Sequence, residues 1–207
     1  MISWATLSVF VPTFLFVSLT PGMCMTLAMV LGMTQGIKRT LWMMVGELMG
    51  VALVAASAGA GVAALMLRYP AVFALFKWVG GAYLIYLGVM MWRSRGRMAI
   101  PSELDMGPPA GRLQLAMQGF VTAIANPKGW AFFMVLLPPF LDGTRALPAQ
   151  LAVLIAVILS IELLSLLVYA TGGKTLRQAL GKSGNVRLLN RVAGTLMMGV
   201  GLWLALG

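Results

Sequence analysis

Six long runs of apolar residues, separated by short segments that hold most of the charges, constrain this sequence more than any other feature. The runs cover about residues 4–30, 40–67, 71–92, 113–141, 148–171 and 188–206. A helix needs about 20 apolar residues to cross the hydrocarbon core of a bilayer. Only 10% of the 207 residues are charged, against about a quarter in soluble domains. The sequence predicts an all-α integral membrane protein with about six transmembrane helices.

The basic residues predict how the chain is oriented in the membrane. Eleven of the 15 Lys and Arg residues follow the first, third and fifth runs, and loops rich in Lys and Arg stay in the cytoplasm. Both termini are therefore expected on the outer face. In a five-span alternative the first run is re-entrant and the N-terminus lies inside. The net charge of +10 does not indicate a nucleic-acid partner, because no soluble basic face is expected.

Few residues are available for cofactor or catalytic chemistry. The chain has no histidine and a single cysteine, Cys24, which lies in an apolar run. One thiol cannot form a disulfide within the chain, and a Zn, Cu or haem site would lack ligands. No nucleophile–base pair is visible, so we expect neither an enzyme nor a bound cofactor. Cys24 is interpreted as a small packing residue.

Two halves of three spans each are expected within one transmembrane domain, residues 1–207. The segment at about 93–112 contains Pro101, Pro108 and Pro109 and is the predicted linker between halves at about 1–92 and 113–207. Because three is odd, the second half must be inserted upside down relative to the first. Inverted halves with interrupted helices in matching places are typical of secondary transporters whose site lies at the membrane midplane.

The first span of each half contains a proline near its middle. Pro21-Gly22 interrupts the first run, and Asn126-Pro127 interrupts the fourth. Proline frees a backbone carbonyl, which in lipid must find a partner in the protein, in water or in a substrate. Each break is either a structural kink satisfied locally or a break that lines a substrate site. The matching positions favour the second interpretation.

Three charged residues within the apolar runs need an explanation, since Lys77 can reach the nearer interface with its long side chain and Arg191 lies near the start of the last run. Lys128 lies about midway along the fourth run, where a lysine needs a carboxylate or a water-filled cavity. It either forms a permanent ion pair with Glu47 or Glu162 or serves as the counter-charge for a substrate carboxylate. Glu162, near the middle of the fifth run, is the better candidate for carrying a proton or binding an amino group. Glu47 lies nearer the cytoplasmic end, where hydration at the interface is the simpler alternative.

Small residues at helical spacing predict close helix packing. Gly46 and Gly50 are four residues apart, and Gly81 and Gly88 are seven apart on one helical face. Such spacings let helix backbones approach each other in a membrane. The same faces make a homodimer a plausible assembly.

Several motifs resemble those of the lysine-exporter family, and within it the homoserine/threonine-resistance branch of amino-acid efflux proteins. The similarity covers nearly the whole chain, in the expected order. Its motifs are Leu-Thr-Pro-Gly at 19–22, Phe-Lys-Trp-Val-Gly-Gly-Ala-Tyr-Leu-Ile-Tyr-Leu-Gly at 76–88, Asn-Pro-Lys at 126–128 with the phenylalanines and prolines that follow, and Leu-Asn-Arg-Val-Ala-Gly at 189–194.

The resemblance implies an exporter of amino acids or their derivatives in the bacterial inner membrane, driven by the proton gradient. It gives functional weight to Pro21, Gly22, Lys77, Asn126, Pro127 and Lys128, and Glu162 resembles the family's fifth-span acid. Met23 replaces the second proline of the first motif, which softens the expected break in the first span. The resemblance assigns no role to Glu47, so its proposed role rests on physical argument alone.

Our leading hypothesis is a proton-coupled exporter of a small zwitterionic amino acid. Lys128 is expected to meet the substrate carboxylate, and Glu162 the amino group or the proton. The expected partners are therefore an amino acid, protons and lipid. A divalent metal-cation exporter is the alternative, although it needs several inward-facing acids, thiols or imidazoles and the spans hold few.

Overall fold

The computed structural model describes residues 2–93, 110–181 and 183–206, and this part of the chain is helical with no strand. It confirms the predicted all-α class. The helices are α1 Trp4–Leu19, α2 Met23–Thr34, α3 Ile37–Arg68, α4 Pro70–Arg93, α5 Arg112–Ile124, α6 Pro127–Leu136, α7 Leu147–Gly181 and α8 Ser183–Leu206, with a short 3-10 helix at Pro138–Phe140.

Four of these helices are long and apolar enough to cross a membrane alone, at Ile37–Leu65, Ala71–Arg93, Leu147–Gly172 and Gly184–Leu206. Helices α1 and α2 qualify together as a broken span or re-entrant loop, bent by 57°. Helices α5 and α6, of 13 and 10 residues, are each about 15–20 Å long, too short to cross alone. The protein is a multi-pass membrane protein, and the count of six spans stays a prediction.

The first predicted break lies where the sequence places it. Helix α1 ends at Leu19 and α2 starts at Met23, with Pro21-Gly22 between them. Pro21 has no N–H to donate to the carbonyl of Val17, and this carbonyl accepts the N–H of Thr20 at 3.2 Å instead. Gly22 is extended at the start of α2.

The second predicted break lies between Ile124 and Pro127. The N–H of Asn126 reaches back to the carbonyl of Ala123 at 3.3 Å, and helix α6 then starts at the proline. Proline suits the first position of a helix, where its missing donor costs nothing.

Two helix boundaries differ from the predicted spans. Helix α7 continues ten residues past the predicted end at Thr171 to Gly181, and α8 begins at Ser183 instead of residue 188. The expected loop between them is therefore mostly helical. Lys, Arg, Gln, Leu and Ala favour the helix outside the bilayer as well as inside it, and no proline interrupts this segment.

Helices α4 and α8 pack closely through two pairs of glycines, as the spacing of Gly81 and Gly88 predicts. A Cβ atom at Gly81 would lie 2.6 Å from the carbonyl oxygen of Gly201, and one at Gly201 would lie 2.7 Å from that of Gly81. Gly88 and Gly194 are related in the same reciprocal way at 2.6 and 2.5 Å. Position 81 pairs with 201 and 88 with 194, so the two helices are antiparallel.

The predicted glycine face of α3 packs on α5. Gly46 lies against the backbone of Ala116, and Gly119 of α5 lies against the backbone of Met43. A Cβ atom at Gly50 would lie 2.7 Å from the Cβ atom of Ala123. Close backbone contact therefore fixes α3, which carries Glu47, beside the second break.

The helix ends define two sides of the molecule. One side, here called the basic side, carries Lys38, Arg39, Arg112 and Arg191. There Arg39 donates a hydrogen bond to the carbonyl of Ala110 at 3.5 Å, and the guanidinium carbon of Arg191 lies 4.8 Å from the ring centroid of Trp92. We call the distal side the one that carries Ser3 and the loop from Asp142 to Arg145, which share one cavity.

The inverted relation of the two halves stays a prediction, and the antiparallel packing of α4 on α8 is consistent with it. Most of the predicted linker, residues 94–109, lies outside the described residues.

Candidate functional site

Both helix breaks open onto one central pocket of about 620 Å³, its open mouth included. Gly22 and Asn126 line it from the two breaks, Glu47 from α3 and Glu162 from α7. Four residues singled out from the sequence, far apart along the chain, are thus brought together. Pro21 lies in the first break beside them, half-buried.

The side chain of Glu47 is fully buried, at 0% exposure. Among the described residues neither of its carboxylate oxygens has a partner in hydrogen-bonding geometry, although Glu162 and Cys24 are close enough to interact with it electrostatically. The interpretation of Glu47 as an interfacial, hydrated residue is therefore wrong, because helix α5 covers this face of α3.

Glu162 is held by the end of α1. Ser18 Oγ donates a hydrogen bond to Glu162 Oε2 at 2.6 Å, and Ser18 Oγ and Ser165 Oγ are hydrogen-bonded at 2.9 Å. Ser165 is 1% exposed. A hydroxyl bonded to a carboxylate oxygen fixes the direction in which that carboxyl group points.

One face of α7 closes the first break. Glu162, Ser165 and Tyr169 are spaced i, i+3 and i+7, so they lie on one side of the helix. The hydroxyl of Tyr169 donates to the carbonyl of Leu19 at 2.8 Å, the last residue of α1. Sequence reasoning gave no role to Tyr169. The signal that identifies it is its spacing from Glu162 along one helical face.

The second break has a matching closure. The indole Nε1 of Trp130 donates to the carbonyl of Ile124, the last residue of α5, at 2.9 Å. In each break an aromatic side chain therefore binds the carbonyl of the last residue of the interrupted helix, one of those that the break frees. The interpretation of the breaks as locally satisfied kinks is partly correct, since these two carbonyls are satisfied by protein.

The N-termini of α2 and α6 meet at the pocket. Gly22 precedes α2 with no side-chain cap, and the first bond within that helix runs from Thr26 N–H to the carbonyl of Gly22. The N–H groups before Thr26 thus have no acceptor inside the helix, and Gly22, Met23 and Cys24 line the pocket. Asn126 Nδ2 lies 4.0 Å from Cys24 Sγ, which joins the two N-termini.

A stack of aromatic rings closes the pocket toward the distal side. Phe14 lines the pocket and stacks on Phe10, at 5.9 Å between ring centroids. Phe10 in turn meets Phe140 edge to face at 4.9 Å, and Phe140 meets Trp203 at 5.4 Å. Phe140 and Trp203 line the distal cavity of about 490 Å³, so Phe10, 0% exposed, lies between the two cavities.

The distal cavity contains an exposed ion pair. Asp142 Oδ2 lies 3.0 Å from Arg145 Nε, and the backbone N–H and the hydroxyl of Thr144 both donate to Asp142 Oδ1. The hydrogen bonds from Thr144, with a smaller contribution from Arg145, hold the pKa of Asp142 below its usual range. Asp142 is therefore ionised at neutral pH, outside the central pocket.

Lys77, to which the resemblance gives weight, is not part of the central pocket. It lines a separate cavity near the distal side with Pro138, Pro139 and Trp203. The side chains of Pro127 and Lys128 lie outside the described residues. Their place on α6, immediately after Asn126, is described, and the role of Lys128 as a counter-charge stays a prediction.

Comparisons with known proteins agree with the family resemblance. A family model described as LysE type translocator matches residues 15–207. An uncharacterized membrane protein of Vibrio cholerae is 28% identical over 91% of this chain and 90% of its own length. A homoserine/homoserine lactone efflux protein of Salmonella typhimurium is 26% identical with the same coverage. A leucine efflux protein of an Enterobacter species is 25% identical over 92% and 90%. No solved structure matches the chain.

Proposed function

We propose, since the chain belongs to the LysE-type translocator family, that it is a secondary active exporter of small amino acids or amino-acid derivatives. Export runs across the bacterial inner membrane, with both termini in the periplasm, and a proton gradient drives it. The relatives named for efflux of homoserine, homoserine lactone and leucine support an amino-acid substrate. We propose no catalytic residue, because transport needs no bond to be made or broken.

The observation that carries this proposal is a pair of carboxylates in one pocket with two helix N-termini. Glu47 and Glu162 offer negative charge to an ammonium group. The free N–H groups at the start of α2 offer hydrogen bonds and the positive end of a helix dipole to a carboxylate. A zwitterionic α-amino acid carries both groups, and discontinuous helices bind the substrate carboxylate in this way in other secondary transporters. Lys128, which follows Pro127 on α6, is the proposed counter-charge for the substrate carboxylate.

The same pair supports coupling to protons. Glu47 is buried and Glu162 is half-buried. Two ionised carboxylates in one pocket repel each other, and burying one of them without a cation costs several kcal/mol. A substrate ammonium or a proton relieves that cost. Because each does so at the same place, arrival of one favours departure of the other, and this competition is the basis of antiport.

No observation favours the divalent-metal alternative. Among the described residues no group of three or more His, Cys, Asp or Glu side chains is placed to hold a metal ion. We therefore keep the amino acid as the proposed cargo.

The test uses purified protein in liposomes with an imposed pH gradient and a panel of labelled amino acids. At least one α-amino acid should move against its own gradient. Glu162→Gln should abolish the gradient-driven flux while the protein still folds and inserts, and Glu47→Gln should raise the KM about tenfold or more, the value of a charged hydrogen bond. Asp142→Asn, a carboxylate outside the pocket, is the matched control and should retain the flux.

Three outcomes contradict separate parts of the proposal. If the flux of every substrate is independent of the pH gradient, the proposed coupling to protons is wrong. Normal gradient-driven export by Glu162→Gln removes Glu162 from the mechanism. Flux of divalent cations without flux of any amino acid replaces the proposed cargo with a metal ion.

A further inference from the structure

The central pocket has a polar end and an apolar end. Along α3, Val51 lies one turn and Val54 two turns beyond Glu47, about 6 and 10 Å along the helix axis, and all three line the pocket. Helix α3 runs from the basic side to the distal side. The apolar residues of this wall therefore lie on the distal side of the carboxylate.

The helices on either side of the two proline breaks repeat this polarity. On α1, Phe14 lies one turn before Ser18, and because α1 runs from the distal side inward, Phe14 is again the more distal residue. Helix α6 runs outward from Asn126, and Phe132 and Phe133 follow about two turns later. On α1, α3 and α6 the polar groups thus lie nearer the basic side and the apolar groups nearer the distal side, while Met23 and Met25 of α2 add apolar surface beside the polar groups.

The apolar end offers no hydrogen bond from the described side chains that line it. They are Phe14, Val17, Val51, Val54, Phe132 and Phe133. The nearest hydroxyls, those of Ser18 and Thr20, belong to the polar end. They already donate to Glu162 and to the carbonyl of Phe16. A hydroxyl group placed at the apolar end would lose its bonds to water without gaining a partner there.

We infer that the apolar end holds the substrate side chain, so that the protein selects amino acids with aliphatic side chains over hydroxylated ones of the same size. This inference rests on the proposed function, in which the ammonium and carboxylate groups of the substrate occupy the polar end. A side chain on the Cα atom then points toward Val51 and Val54 and buries its apolar surface against them. Val51 and Val54 are thereby specificity-determining residues.

The test compares isosteric substrates that differ only by a methyl or a hydroxyl group. The pairs are L-valine with L-threonine, and L-norvaline with L-homoserine. Initial rates in proteoliposomes give kcat/KM for each amino acid. The aliphatic member of each pair should be preferred about 10- to 100-fold, the range within which an apolar pocket discriminates against an added hydroxyl.

Substitutions on α3 test whether the preference for aliphatic over hydroxylated substrates arises at Val51 and Val54. Val54→Thr places a hydroxyl at the apolar end and should narrow the valine-to-threonine ratio about fivefold, the value of one hydrogen bond. Val51→Thr is a second variant of the same kind. Val45→Thr is the matched control: the same exchange on the same helix at a side chain that is 48% exposed on the outer surface, where the ratio should not change.

The outcomes separate this inference from the proposed function. Transport of threonine and homoserine at kcat/KM equal to or above that of valine and norvaline overturns the inference and leaves the exporter proposal intact. An aliphatic preference that Val54→Thr and Val51→Thr change no more than Val45→Thr overturns the assignment to these residues. Absence of flux for every amino acid overturns the proposed function, and the inference falls with it.

Discussion

Tyr169→Phe tests whether one hydrogen bond holds the first helix break in place. The phenolic hydroxyl donates to the carbonyl of Leu19 at 2.8 Å, and Tyr169 is 2% exposed. Phenylalanine keeps the ring and its packing, so almost no cavity forms. The loss is that of a donor to a buried carbonyl, which costs about 1–3 kcal/mol when the acceptor is left unsatisfied. We expect the free energy of unfolding to fall by that amount.

The assay is equilibrium unfolding by SDS in mixed detergent micelles, followed by tryptophan fluorescence. Tyr86→Phe removes a hydroxyl from a side chain that is 56% exposed on α4 and is the matched control. Its stability should change by less than about 0.5 kcal/mol. If Tyr169→Phe changes stability no more than Tyr86→Phe does, the carbonyl of Leu19 has another partner, and α7 does not hold the break through Tyr169.

Other features of the fold make further predictions. Phe10→Ala should make Cys24, the only cysteine, reactive toward a membrane-impermeant thiol reagent added to intact cells. The reason is that Phe10 lies between the central pocket and the distal cavity. If Cys24 stays as unreactive as in the unmodified protein, Phe10 does not close the pocket. Bound substrate should slow alkylation of Cys24 in vesicles, because Cys24 lines the pocket, and an equal rate with saturating substrate places the site elsewhere. Gly88→Ala should lower the free energy of unfolding by about 1–3 kcal/mol through overpacking against α8. Gly199→Ala, whose added Cβ has no atom within 4 Å, should leave that free energy unchanged or raise it by up to about 1 kcal/mol. Unfolding of both variants in SDS measures the difference, and equal stability of the two contradicts the close packing at Gly88.

The sequence predicted the helix breaks because proline acts locally. Pro21 cannot donate a hydrogen bond wherever α1 packs, and Pro127 suits the first position of a helix. Proline alone does not end a helix, since Pro12 lies inside α1. The glycine spacings were informative for a similar reason, since only a backbone without Cβ atoms permits the approach between Gly88 and Gly194. Helix ends outside the bilayer were predicted less well, because hydropathy marks where lipid begins and not where hydrogen bonding stops.

The burial of Glu47 was not predictable from its position along α3. Whether a carboxylate two turns into a span meets water depends on which helix covers it, and the contact of Gly119 with Met43 brings α5 over that face. Tyr169 and Trp130 were missed because a freed carbonyl does not specify its donor in sequence. Their roles depend on α7 lying against the end of α1 and on the turn between Ile124 and Trp130.

The sequence by itself determined a membrane-embedded helical chain with two proline breaks, because hydropathy, proline and glycine act through short-range physics. The transporter family followed from the resemblance of its motifs. Only the tertiary structure decided that Glu47 and Glu162 share one pocket with both breaks, and that this pocket is polar at one end and apolar at the other. Those properties depend on contacts between residues far apart in the chain, such as Ser18 with Glu162 and Met43 with Gly119, which helix packing alone brings together.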